Sequence, residues 1–155
     1  IASDAFAQND SIPENFTCDV STGTPALSPA LKISDVPSNA KTLALVMHDP
    51  DVPPQLRPDG IFVHWVAFNI PTTTTMIPEG ASAGISGSNG AGKSGYVGPC
   101  PPKEYQPDEH RYIFTLYALD TEFIMPTAAT RDELLSVMQG HILSEAVLVG
   151  RYKRK

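Results

Sequence analysis

Residues 42–53 read TLALVMHDPDVP. From Thr42 to His48 the run is apolar without alternation, the pattern of a strand buried on both faces. Asp49-Pro50-Asp51-Val52-Pro53 ends it, because proline lacks an N–H and fixes φ. A second run, IFVHWVAFNI at 61–70, is also apolar on both sides. Strict alternation would turn Phe62, His64, Val66, Phe68 and Ile70 one way and Val63, Trp65 and Ala67 the other. Pro71 and four threonines close it. The third run, 111–119, is rich in β-branched and aromatic residues and follows His110 directly. These runs predict a mostly β protein.

Outward from the strands, each brings one polar group to an otherwise apolar sheet. Asp49 stands at the end of the first, His64 lies inside the second, and His110 and Tyr112, two apart and so on one face, open the third. The segment before His110, YVGPCPPKEYQPDE at 96–109, has too many prolines for regular structure. A stiff loop that delivers an imidazole and a phenol side by side suits donation to a small anion. The spacing predicts one shared pocket, with Asp49 holding the imidazole of His64. His48, next to Asp49, is expected on the opposite face, in a structural or exposed position. The long Gly- and Pro-rich loop at 80–102 is expected near the pocket.

Composition narrows the function classes. The chain has 155 residues, 41% hydrophobic and 18% charged, and reads as one globular domain spanning 1–155. Proline numbers 15, roughly twice the usual share of about 5%, which favours short strands and stiff loops over a helical bundle. A net charge of −6 argues against a nucleic-acid partner held through phosphates. No apolar stretch reaches the roughly 18–20 residues of a membrane span. The opening Ile1 points to a missing stretch in front, either a removed signal peptide or an artificial start. The compartment therefore stays open between cytoplasm and a periplasmic or secreted location. Cys18 and Cys100 stay open too, as a pair or as two thiols.

Residues 1–30 are polar and read as an edge segment with turns. One helix is signalled by the capping box Thr130-Arg131-Asp132-Glu133, followed by a stripe of Leu134, Leu135, Met138 and Ile142, with His141 at the helix end. A last strand, AVLVGRY, closes the sheet. The string GSNGAGKS at 87–94 fits a phosphate-loop pattern, but that loop needs a buried strand before it and a helix after it. Here 81–86 is a poor strand and 95–102 is no helix, so a nucleotide site is not expected. No metal-ligand spacing joins the histidines. Cys100 has no elbow motif around it, and no catalytic residue is assigned.

Several strings together carry a resemblance: FTCD at 16–19, SPAL at 28–31, LALVMHDPDVP at 43–53, FVHWVAFNIP at 62–71, GYVGPCPP at 95–102, HRYIFTLYALD at 110–120 and GHILSEAVLVGRY at 140–152. In this order they resemble the phosphatidylethanolamine-binding (Raf kinase inhibitor-like) protein family, most closely its bacterial and archaeal branch. The resemblance implies an antiparallel β-sandwich with a few short helices and a small anion pocket at one end. It implies a pocket for phosphate, carboxylate or phosphorylated head groups, lined by Asp49, His64, Cys100, Pro101, His110 and Tyr112, with no cofactor and no enzymatic step. Asp51 is expected to cap its turn and bond Arg111. The alternative is an interaction or inhibitor module that reads an anionic group on a protein partner. Three features depart from the family pattern: the loop PQLRPDG at 54–60, an insertion within 19–27, and the lack of a long carboxy-terminal helix.

Overall fold

The structure is a computed structural model that describes residues 1–21 and 25–155; residues 22–24 of the expected insertion lie outside the described residues. The strands in chain order are β1 (Leu31–Lys32), β2 (Thr42–Asp49), β3 (Phe62–Pro71), β4 (Met76–Ile77), β5 (Ile85–Ser86), β6 (Glu109–Leu119) and β7 (Ile142–Lys153). A 3₁₀ turn at Glu14–Phe16 and one helix, α1 (Arg131–Met138), complete the elements. The fold is mostly β and antiparallel throughout the paired strands.

The large sheet has the order β5-β3-β2-β6-β7, which puts β2 at its centre. That position explains the unbroken apolar run, because both faces of β2 meet protein. Leu43, Leu45 and Met47 enter a core shared with Trp65, Phe114, Leu31 and Ile77, so the small β1–β4 sheet covers this side. Ala44 and Val46 enter a second core with Val66, Phe68, Leu134 and Met138, under α1. Each large apolar side chain taken from water here is worth about 1.5–3 kcal/mol.

Two irregularities overturn the strict alternation expected of β3. Met47 pairs with Trp65 but His48 pairs with Val63, so His64 is an extra residue opposite a single step of β2. Leu43 pairs with Ile70 and Leu45 with Ala67, placing a second extra residue near Asn69, whose φ is +51°. Each bulge shifts the phase of the strand. Trp65, Ala67 and Ile70 therefore share one core, and Val66 and Phe68 the other with Val63 at its margin.

The capping box forms as the sequence predicts, with Thr130 accepting from the Glu133 amide and Glu133 accepting from the Thr130 amide. The helix is shorter than its stripe, however. It stops at Met138, and Gly140 turns the chain at φ +82°. Ile142 is not on the helix; it opens β7 and is 42% exposed. His141 lies in that turn, where its Nδ1 bonds Asp120 Oδ1 at 2.8 Å. The last strand is longer than AVLVGRY because it pairs with β6 from Ile142 opposite Leu119 to Lys153 opposite Glu109.

Candidate functional site

The β3, β2 and β6 strands are neighbours, and their polar groups meet at one end of the sheet. Asp49, His64 and His110 line a cleft of about 330 Å³ together with Cys100, Pro101 and Arg57. The common pocket expected from three separate strands is thus present in the geometry. Its internal wiring differs from the expectation.

Asp49 holds His110, not His64. Its Oδ2 lies 2.7 Å from His110 Nδ1, while its Oδ1 accepts the Asp51 amide at 2.8 Å. The far nitrogen of His110, Nε2, lies 3.1 Å from the Pro107 carbonyl. A carboxylate and a carbonyl both accept, so both ring nitrogens carry protons and the ring is an imidazolium. Burial pushes its pKa down, but the Asp49 hydrogen bond and the charges of Asp49 and Asp51 outweigh burial, leaving it above the usual histidine value. Both donors are committed inside the protein. The expectation that His110 donates to a ligand is corrected on that ground.

His64 is wired to a loop. Its Nδ1 lies 2.7 Å from the Val97 carbonyl, and the Val97 amide donates back to the His64 carbonyl at 2.9 Å. The carbonyl fixes the tautomer, with the proton on Nδ1. Nε2 then presents a lone pair and has no hydrogen-bond partner among the described residues. Burial pulls the His64 pKa down to about 4; the Val97 bond and Asp49 oppose it only in part. The ring is neutral at pH 7. The bulge at His64 is what lets it turn to the cleft beside Trp65, which turns to the core.

Tyr112 does not line the cleft. It is fully buried, its ring edge-on to His64 with centroids 5.1 Å apart, and its hydroxyl has no partner among the described residues. It supports His64 from behind. His48 lies on the opposite side of β2, as expected, half-buried, with burial lowering its pKa.

The rim is stiff for identifiable reasons. Arg111 donates to Asp51 from its backbone N–H and Nε, both at 2.9 Å, and from Nη2 at 2.6 Å, as expected. The turn, however, is capped by Asp49, which accepts the Asp51 amide, and not by Asp51. The Arg111 bond holds the Asp51 carboxyl below its usual range. On the loop side Cys18 and Cys100 form a disulfide, which settles the open choice. Tyr96 donates to the Phe16 carbonyl at 2.7 Å. Gly98 packs so closely that an added Cβ would sit 2.8 Å from the Ala26 Cβ and 2.9 Å from the Phe16 carbonyl oxygen. Of residues 98–102 only Gly98 and Cys100 carry backbone N–H groups, since the rest are proline.

Arg57 escaped the sequence reading. Its Nη2 donates to the Gly90 carbonyl at 2.8 Å and its guanidinium carbon sits 4.9 Å from the centroid of the Phe62 ring. Phe62 in turn packs 4.8 Å from the His64 ring. Arg57 has no carboxylate partner among the described residues. A signal was present: Arg57 is the sole Lys or Arg between Lys41 and Lys93, in the loop that departs from the family pattern. The Val97 carbonyl, a backbone group, left no signal.

The phosphate-loop string forms no strand–loop–helix frame. Asn89 Oδ1 accepts the amides of Ala91 and Lys93 and its Nδ2 donates to the Gly95 carbonyl, so the amides turn inward. No helix follows. Among the described residues no group of three or more His, Cys, Asp or Glu side chains is placed to hold a metal ion, and no helix is long and apolar enough to cross a membrane.

Comparison with known proteins places this chain in a family. The sequence profile described as phosphatidylethanolamine-binding protein matches residues 2–153. A UPF0098 protein of Chlamydia pneumoniae is 42% identical over 155 residues, covering 99% of this chain and 98% of its own. One from the archaeon Methanothermobacter thermautotrophicus is 40% identical over 157 residues, covering 97% and 95%. A crystal structure of a phosphatidylethanolamine-binding protein homolog from Chlamydia trachomatis superposes with a TM-score of 0.91 at 39% identity, covering 99% of this chain and 96% of that one. Escherichia coli YbcL, described as a member of the mammalian family, superposes at 0.83 with 25% identity, covering 99% and 97%. The chain belongs to the phosphatidylethanolamine-binding protein family, with relatives in both bacteria and archaea.

Proposed function

We propose that this protein is a non-enzymatic binding protein whose cleft takes a small anion: phosphate, a carboxylate or a phosphorylated head group. The observation that carries this reading is the charge count of the cleft. Asp49 is neutralised by His110 and Asp51 by Arg111, while Arg57, which contributes to the cleft lining with its guanidinium over Phe62, has no carboxylate partner among the described residues. A guanidinium without a neutralising carboxylate beside an apolar-walled cleft attracts a negative group. The volume of about 330 Å³ lies at the low end for small-ligand sites. His64, Cys100 and Pro101 shape the remaining walls, and Tyr112 steadies His64.

Isothermal titration with inorganic phosphate, phosphoethanolamine and acetate tests it. Binding of at least one of the three at millimolar concentration or tighter is expected, with the Arg57→Gln variant weaker by roughly tenfold, the worth of one hydrogen bond from a charged donor. Absence of binding to all three, alongside retained capture of a protein partner, would favour the interaction module instead.

A further inference from the structure

The hydrogen-bond polarity of the cleft says more than that an anion enters. Resting on the anion-site reading above, we infer that the cleft selects a phosphoryl group in its singly protonated form, with the ligand's own P–OH donating to His64 Nε2 and Arg57 supplying the countercharge.

The argument is one of donors and acceptors. His64 is 4% exposed, and its Nδ1 proton is committed to the Val97 carbonyl. What it turns to the cleft is therefore an acceptor, and a fully ionised oxyanion offers it only repulsion between lone pairs. His110 cannot relieve this, since Asp49 and Pro107 occupy both its nitrogens. Protonating His64 to make it a donor is opposed by its surroundings. Burial is the largest cause, His48 from β2 and His110 from β6 add their charge, and the Val97 carbonyl and Asp49 oppose them without prevailing. Tyr112 from β6 contributes a ring edge, and Arg57 from the 54–60 loop adds a further positive charge beyond Phe62. A ligand that brings its own proton avoids the difficulty. Whether that proton rests on oxygen or on nitrogen, the complex holds one proton more than the free dianion and the free protein together.

A phosphate monoester carries that proton below its second pKa of about 6. A sulfate ester of the same shape and charge never does, and a carboxylate has lost its proton above about pH 5. The cleft should therefore separate phosphoryl from sulfuryl groups by chemistry rather than size.

Titration of the full chain with methyl phosphate and methyl sulfate tests this, both being monoanions at about pH 5.5 and only the first a donor. Methyl phosphate should bind at least about tenfold more tightly there. Its affinity should then fall by roughly tenfold per pH unit once the dianion dominates. Equal affinity for the two esters, or methyl phosphate binding that tightens as pH rises, would overturn the inference while leaving an anion site standing. Binding of neither ester at about 10 mM, weaker than roughly 3 kcal/mol, would overturn both. In His64→Gln, whose amide offers donor and acceptor alike, the preference should collapse toward unity, and a retained preference would also overturn the inference. Arg57→Gln should weaken both esters by about tenfold without changing the pH slope; unchanged affinity would remove Arg57 from the site. Should His64→Gln fail to fold, the ester comparison on the unaltered protein still decides.

Discussion

The two walls of the cleft solve the burial of polar groups differently. The sheet wall, built on the ends of β2 and β6, closes its charges on itself, with Asp49 on His110 and Asp51 on Arg111. The loop wall, from 54–60 and 95–102, is tied down by backbone bonds, a disulfide and the contact of Arg57 with the Phe62 ring, and it leaves the Arg57 guanidinium without a carboxylate partner. His64 stands between them, bonded to the loop wall through Val97. A self-satisfied wall gives a rigid frame. The groups left over elsewhere set what the cleft can bind.

The largest expected effect strikes the loop wall. Replacing Cys18 and Cys100 with serine opens a loop of 82 residues, which the loop-entropy model values at about 4.5 kcal/mol. Denaturant unfolding should show this loss, and hydrogen exchange should speed up at the Val97 amide before it does in β2. Uniform loosening of both walls would mean that the disulfide does not hold the loop wall separately from the sheet.

On the sheet wall, Asp49→Ala strands the buried His110 charge and also removes the acceptor of the Asp51 amide. Breaking such a pair costs roughly 3–5 kcal/mol, measurable by urea unfolding. A loss below about 1 kcal/mol, the level of an exposed ion pair, would mean His110 discharges freely and the wall is not charge-closed.

Acid should act through His64. The unfolded chain takes up this proton near pH 6.5 and the folded protein only at about 4, so the unfolded state binds more protons in that window and stability drops as the pH is lowered through it. The loss amounts to about 3 kcal/mol across it. His48, also lowered by burial, adds to the loss. His110, being raised, works the other way: its contribution is complete below about 6.5 and fades as pH climbs through its folded value. Urea unfolding of His64→Gln should show a shallower acid slope than the unaltered chain; an identical slope would mean His64 is not buried neutral.

The smallest effect belongs to Lys93, exposed on the phosphate-loop look-alike. Lys93→Ala should change stability by less than about 0.5 kcal/mol and leave any nucleotide response unaltered. Loss of tight ATP binding would show that the loop amides serve as a site after all.

Much of the fold was legible because its signals are local. The unbroken apolar run at 42–48 marked the central strand, the prolines at 50 and 53 marked its end, and Thr130 with Glu133 marked a helix start. The helix end was misplaced because Ile142 continued the apolar stripe, whereas Gly140 stops the helix by its backbone conformation. The site was legible as a gathering of Asp49, His64 and His110, since the strands that carry them had to be neighbours to bury their runs.

The sequence by itself determined the strands, the helix start and the polar residues delivered to the sheet end, because hydrophobic periodicity, proline sterics and capping act over a few residues. Tertiary structure decided the rest. It turned His64 into a bulge, gave Asp49 to His110, set Tyr112 behind the cleft, joined Cys18 to Cys100 and brought Arg57 over Phe62. Each of these depends on groups far apart in the chain, or on a backbone carbonyl such as that of Val97. Such partners are chosen by the register and bulges of paired strands, and neither is written in the residue types alone.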